Sequence, residues 1–278
     1  MRLIILTLLL LSSSLSWSND ISVGGVLLKI PSPEGFSAVT PQMAFLYEAQ
    51  KHFVAPMNEE FVTFIPDDVV EMALNDDVPD LPRRFTVQTA KPLVGRTITS
   101  LDFATLKHTI KTQNHELLKQ VEAQLPELVG KMNEGIKEQY DVDLALSVSQ
   151  MVPMPVHEET DRTLSYSALV RYDMMDEMGE PAPFVSVVTA TLVHVKGKVL
   201  FLYSYAEESD LEWSRQASQQ WANSVVAANP SDLQTTVKET IPPGVMDMNW
   251  KIMAAQVGLA ALIVLAVGLF AWSRKRKS

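Results

Sequence analysis

One run limits what this chain can fold into: Ile252–Trp272, IMAAQVGLAALIVLAVGLFAW, 21 residues without a charge and with Gln256 as its one strongly polar side chain. As a helix rising about 1.5 Å per residue it reaches roughly 31 Å, one hydrocarbon core. Lipid offers no partner for unpaired backbone N–H and C=O groups, so helix is the form to expect. Arg274, Lys275, Arg276 and Lys277 follow at once, with Trp250 and Trp272 at the two interfaces. Basic residues stay on the cytoplasmic side, so the run predicts a single C-terminal transmembrane helix with everything before Ile252 outside the cytoplasm.

The other end agrees. Met1-Arg2 gives a small positive start, Leu3–Leu11 is apolar apart from Thr7, and Ser16-Trp17-Ser18 offers small residues where a signal peptidase cuts. The expected organisation is a signal peptide at 1–18, an extracytoplasmic domain at 19–230, a polar Pro-containing tether at 231–251, the spanning helix at 252–272 and a basic tail at 273–278. Residues 19–249 hold 17 Lys and Arg against 33 Asp and Glu, a formal charge of −16. So acidic a surface repels nucleic acid and anionic headgroups and suits solubility, a basic partner or divalent cations. With no cysteine there is no disulfide framework and no thiol chemistry. There is no Asn-x-Ser/Thr acceptor either. Together these point to the bacterial inner membrane, with the domain in the periplasm and the C-terminus in the cytoplasm.

Along the domain, Val26–Ile30 reads as a strand closed by Pro31-Ser32-Pro33-Glu34-Gly35. Thr40-Pro41 starts a helix to about Phe53, burying Phe45, Leu46, Ala49 and Phe53. Phe61–Ile65 and Phe85–Thr89 read as strands, with a short helix at Asp67–Leu74 between them. Leu101–Tyr140 keeps three-and-four spacing through Ile110, Leu117, Leu118, Val121, Leu125, Leu128, Met132 and Ile136, behind a capping box of Thr99 and Asp102. Pro126 predicts a kink or break near Gln124. The period then changes to two. Val142, Leu144, Leu146 and Val148 alternate with Asp141, Asp143, Ser147 and Ser149; Leu164–Tyr172 alternates again; Phe184–Val195 and Val199–Tyr205 are apolar on both faces, hence central. Lys196-Gly197 marks a hairpin. Ser209 and Glu212 form a capping box for a last helix, Asp210–Ala228, with Ala217, Trp221, Val225 and Ala228 on one face. The fold class is α+β: an antiparallel sheet, made of a C-terminal meander of about four strands plus N-terminal strands, packed by helices.

Pro33-Glu34-Gly35-Phe36 at the start, and Gly197-Lys198-Val199-Leu200-Phe201-Leu202-Tyr203 followed by Trp213, Trp221 and Ser224-Val225-Val226 at the end, resemble the PsbP-like fold, an α/β/α sandwich. The match covers about 60 residues at the two ends; the helical segment Leu101–Tyr140 and the spanning helix depart from that pattern. The resemblance implies a mostly non-catalytic role in binding, assembling or stabilising complexes at membranes. It carries over no functional residue, because the matching positions are structural.

Motifs for chemistry are sparse. His52, His108, His115, His157 and His194 include no HExxH pair, and His108 and His115 stand about 10 Å apart along a helix, too far to share an ion. His157-Glu158-Glu159 with Asp161 reads as a solvated connection that could hold a divalent ion loosely. Asp141 and Asp143 share one strand face, a spacing that serves metal or acid–base work but is also the wet half of an amphipathic strand. Gly24-Gly25 lacks the downstream Lys-Ser/Thr of a phosphate loop. Phe201, Tyr203, Tyr205, Trp213 and Trp221 suit either core packing or an apolar pocket between sheet and helix. Ala254, Gly258, Ala261 and Gly268 put small residues near one helix face, a surface for a homodimer through the spanning helix. No catalytic residue, metal or cofactor is assigned. The sequence reads as a membrane-anchored periplasmic binding or assembly module with an envelope protein as partner and no nucleic acid. An envelope hydrolase using Asp141, Asp143 or His157 and an apolar-ligand carrier are the alternatives.

Overall fold

The computed structural model of the chain describes residues 18–77, 79–140, 146–174 and 181–230. Strands β1 (Ser18–Val23) and β2 (Val26–Pro31) form a hairpin. β3 (Phe36–Ala38), α1 (Ala44–Ala49), β4 (Asn58–Pro66), α2 (Val70–Leu74), β5 (Arg84–Ala90) and α3 (Lys91–Val94) follow. Next come α4 (Ser100–Tyr140), β6 (Ser147–Pro153), β7 (Glu158–Glu159), β8 (Thr163–Asp173), β9 (Phe184–Val195), β10 (Lys198–Glu207) and α5 (Leu211–Ala228). One antiparallel sheet runs β3-β4-β5-β10-β9-β8-β6, with β7 also paired to β8.

The central strands β5, β10 and β9 are buried on both faces. Val199, Phe201, Tyr203 and Tyr205 of β10 point to the face under α1, α2 and α4, and pack with Phe53, Leu93, Phe103 and Ile110. Leu200 and Leu202 point the other way, to α5 and the β1–β2 hairpin, with Phe64, Phe85, Trp221 and Val225. Period two along a strand produces this split, and it gives an α/β/α sandwich. Beneath α5 the sheet carries hydroxyls: Ser214 Oγ lies 2.8 Å from Thr189 Oγ1 and 3.1 Å from Ser204 Oγ, bonding one as donor and the other as acceptor, and Ser165–Thr191 and Ser167–Thr189 pair across strands. Each hydroxyl partners another, so this polar stripe is buried without leaving these groups orphaned.

Two turns fix the hairpins. Lys196 and Gly197 have φ of 47° and 72°, the type I′ geometry that suits strand twist. Gly24, at φ 54°, lies so close to α3 that a Cβ would meet the Val94 carbonyl oxygen at 1.9 Å. Gly24-Gly25 is therefore a hairpin turn packed against a helix.

Several expectations are corrected. α4 runs unbroken through Pro126, which lies exposed on it. Its expected stripe is buried at Ile110, Leu125, Met132 and Ile136, while the side chains of Leu117, Leu118, Val121 and Leu128 lie outside the described residues. The Thr99–Asp102 capping box forms, Asp102 N–H donating to Thr99 Oγ1 at 3.1 Å and Thr99 N–H to Asp102 Oδ2 at 3.0 Å. The Ser209–Glu212 box does not, because a short 3-10 turn, Glu208–Asp210, leads into α5 and Asp210 caps it without a side-chain bond. The helix from Thr40-Pro41 begins only at Ala44 and tightens to a 3-10 turn at Gln50–Phe53. The alternation read at Val142–Val148 is paired as a strand only from Ser147, and 141–145 lie outside the described residues.

The membrane reading is corrected as well. No helix among the described residues is long and apolar enough to cross a membrane. α4 has the length, but Lys107, Lys111, Glu127, Lys131 and Glu134 stud it with charge. Ile252–Trp272 lies outside the described residues, as do the basic determinants Arg274, Lys275, Arg276 and Lys277 and the small-residue face of Ala254, Gly258, Ala261 and Gly268. The fold class is thus α+β with an antiparallel sheet and no described spanning helix. A single-pass inner-membrane protein with a periplasmic domain, an inner-membrane partner and a homodimer through that helix find no support in this architecture.

Candidate functional site

At the edge of the sheet, β6 pairs with β8 on one side and with no strand on the other among the described residues. Met154 N–H bonds the Ser167 carbonyl at 2.8 Å, just past the Pro153↔Ala168 pair. Antiparallel residues alternate between inward and outward peptide groups, so Met151 turns its N–H and C=O away from β8. Beside this edge lies a groove of about 480 Å³, floored by Ser147–Met151 and walled by Leu125, Pro126, Val129, Gly130 and Asn133 of α4. None of these residues is charged. Asn133 Nδ2 donates to the Leu146 carbonyl at 2.9 Å, which fixes the amide; its Oδ1 is buried with no donor among the described residues. An unmet buried acceptor costs about 1–3 kcal/mol, which the packing of α4 against β6 offsets. A register shift between Val148 and Gln150 bulges the strand, and Pro153 ends it, so only a short length is open to pairing.

A second groove, about 800 Å³, lies on the other face of the sheet between the Pro33–Phe36 turn and α5. Its aromatic wall is a chain of ring contacts. Phe36 meets Phe85 edge-on at 4.8 Å, Phe85 meets Trp221 at 5.1 Å, and Trp213 lies 6.2 Å from Phe36. The outer ring carries a cation: the Arg83 guanidinium sits 4.3 Å over Trp213 and bonds Asp210 at 2.8 Å.

Between the layers is a buried polar centre. Glu60 accepts from Thr63 Oγ1 at 3.1 Å and Gln88 Nε2 at 3.2 Å, and Asn58 Nδ2 donates to Gln88 Oε1 at 3.0 Å. Burial pushes the Glu60 carboxyl up to about 7, against those hydrogen bonds and the charge of Arg84. Arg84 is 1% exposed and stacks over Tyr205 at 4.6 Å, with no hydrogen bond to its guanidinium among the described residues; burial lowers it to about 10. No residue motif announces this centre. Its one sequence signal is an acid and an arginine that each stand one residue before a strand read from the sequence, Glu60 before Phe61–Ile65 and Arg84 before Phe85–Thr89.

The residues singled out from sequence are dispersed. Asp141 and Asp143 lie outside the described residues, as does the side chain of His115. His194 stacks on Phe103 at 5.2 Å and donates from Nε2 to the Ile98 carbonyl at 2.7 Å; burial holds its pKa low. His108 is exposed on α4. In the 157–161 segment Glu159 pairs with Lys111 at 2.7 Å and Lys107 at 3.2 Å, which hold it below the usual carboxylate range, and Glu158 accepts from Gln219 at 2.8 Å. Glu159 is taken by cations and Glu158 by an amide, while Asp161 lies exposed; no metal-ligand cluster forms among the described residues. The five aromatics do not share a pocket: Phe201, Tyr203 and Tyr205 face α4, whereas Trp213 and Trp221 belong to α5 on the opposite side. Trp221 rests on Phe64 and Phe85 and donates to the Pro31 carbonyl at 2.8 Å, and with Trp213 it lines the groove beside the Pro33–Phe36 turn.

Fold and grooves together define an α/β/α sandwich with an open sheet edge. Among solved structures the chain is similar to cyanobacterial PsbP from Synechocystis, with a TM-score of 0.31 and 10% identity over 77% of this chain and 94% of that one. It is also similar to the Ran-binding protein Mog1p of Saccharomyces cerevisiae, with a TM-score of 0.27 and 11% identity over 77% of this chain and 93% of that one. The PsbP-like resemblance of the two chain ends is thereby met as a weak likeness of fold. No family model and no curated protein matches the sequence.

Proposed function

We propose that this chain is a non-catalytic binding module that holds an extended segment of a partner polypeptide along β6, against α4. The observation that carries this reading is the uncharged edge strand, whose outward peptide groups adjoin an uncharged groove walled by α4. Strand addition takes its affinity from main-chain hydrogen bonds and its specificity from pockets for alternate side chains. Here the pocket is neutral and apolar, so the segment carries small or branched apolar side chains towards Leu125 and Val129. By contrast the chain covers β2 with a side chain: Asn229 Oδ1 accepts from Lys29 N–H at 2.9 Å and its Nδ2 donates to the Lys29 carbonyl at 2.7 Å.

The test is a displayed library of random dodecapeptides, selected on the full chain and counter-selected on Gly130→Phe. A side chain at Gly130 enters open space, so this variant fills the groove without a clash at its Cβ. The expected result is enrichment of neutral peptides with alternating apolar residues. They should bind Gly130→Phe at least tenfold more weakly and protect the Met151 amide from hydrogen exchange. Enriched peptides that bind both proteins equally, or no enrichment, would overturn the reading.

A further inference from the structure

The aromatic groove under α5 has a character that strand addition does not use. Its lining includes two carboxylates, Glu34 and Asp67, and no cationic residue. Ser37 Oγ donates to Asp67 Oδ1 at 2.6 Å, which orients that carboxylate at the groove's rim. Phe36 and Trp213 are half-buried, so part of each ring is open to an occupant, while Glu34 and Asp67 are exposed. The chain as a whole carries −10. One cation already shows what these rings accept, since the Arg83 guanidinium sits 4.3 Å over Trp213 while paired to Asp210. Ring faces attract guanidinium and ammonium groups, and the contact strengthens when a carboxylate stands nearby and water is partly excluded.

We propose that this groove docks an arginine- or lysine-bearing segment of a partner protein, its cationic side chain reaching Glu34 and Asp67 and its stem lying along Phe36 and Trp213. Charge complementarity chooses the partner: an acidic segment would meet two carboxylates with no counter-charge in the lining, and a wholly apolar one would leave both carboxylates facing it. A protein segment fits better than a free small cation, because a half-open groove of about 800 Å³ is several side chains in size. The site is on the other face of the sheet from the β6 groove, and the two stand or fall separately.

The experiment titrates the full chain with acetylated Gly-Arg-Gly-Arg-Gly amide. Its glutamate counterpart and spermidine are the controls, and the indole Nε1–H resonances of Trp213 and Trp221 are the readout. The expected result is saturable shifts with the arginine peptide alone, weakened at least fivefold in Glu34→Gln/Asp67→Asn and on raising salt from about 50 to 500 mM. Glu127→Gln/Glu138→Gln removes the same formal charge from α4 and should leave the affinity unchanged, as should Gly130→Phe. Equal weakening by the α4 pair would reduce the binding to net charge and overturn the proposal. So would unaltered affinity in Glu34→Gln/Asp67→Asn, or no saturable shift. Spermidine binding as tightly at the same resonances would overturn the assignment to a protein segment.

Discussion

Replacing Glu60 by glutamine tests the polar centre. Burial raises its carboxyl from 4.5 to about 7 in the fold. Between those values the native state holds a proton that the unfolded chain has released, so stability falls as pH rises. The contribution is fully present below about 4.5 and is lost by the time pH passes 7. The interval corresponds to about 3 kcal/mol, and relaxation around a residue that is not wholly buried brings the expected loss to about 1–3 kcal/mol. Glu60→Gln has no such proton to lose. Urea unfolding of both proteins from pH 4.5 to 8 should give curves that diverge steadily, the variant gaining on the wild type by that amount. Arg84 adds only the smallest of the opposing effects, so its loss of a partner should not reverse the sign. Profiles that stay parallel within about 0.5 kcal/mol would refute the reasoning, as would a Glu60 carboxyl resonance titrating near 4.5.

Two glycines of α4 should respond in opposite directions. Gly130→Ala meets nothing within 4 Å and should stabilise by about 0.5–1 kcal/mol through helix propensity, whereas a Cβ at Gly135 would stand 2.8 Å from His52 Nδ1 and should cost about 1–2 kcal/mol net by overpacking. Thermal unfolding of the pair checks both signs at once. Asn229→Ala removes three hydrogen bonds and leaves the Lys29 N–H and C=O without that partner, so it should cost about 2–4 kcal/mol and raise hydrogen exchange at Lys29 before it does so in β9.

The strands that were legible are those whose environment is stated by period. Phe184–Val195 is apolar on both faces and is observed over that same range, and Lys196-Gly197 turns as a type I′ hairpin. Thr99 and Asp102 cap α4 as their spacing suggests. Elements of polar or mixed composition were lost. β1 is two-thirds Ser, Asn and Asp and gains its place by pairing with β2. β7 is Glu-Glu, held on β8 by backbone pairing while α4 lysines neutralise Glu159. Pro126 does not break α4 because packing of Phe103, Leu106 and Ile110 before it and of Val129, Met132 and Ile136 after it holds both halves on the same core.

The grooves were harder to read, and the reason is topological. Nothing in Ser147–Pro153 says that its outer side lacks a neighbour; that follows from β8 lying between it and β9, which no local pattern records. Likewise Phe36 meets Trp213, and Glu34 shares their groove, only because β3 joins β4 at the far edge of the sheet while α5 lies across it. The same order sets the two grooves on opposite faces and near opposite edges, one at β6 and one over β3–β5. An occupant of one therefore need not displace an occupant of the other, and the sheet between them is buried on both sides and closely paired. With both proposed sites filled, the sheet would set the two segments at a fixed separation.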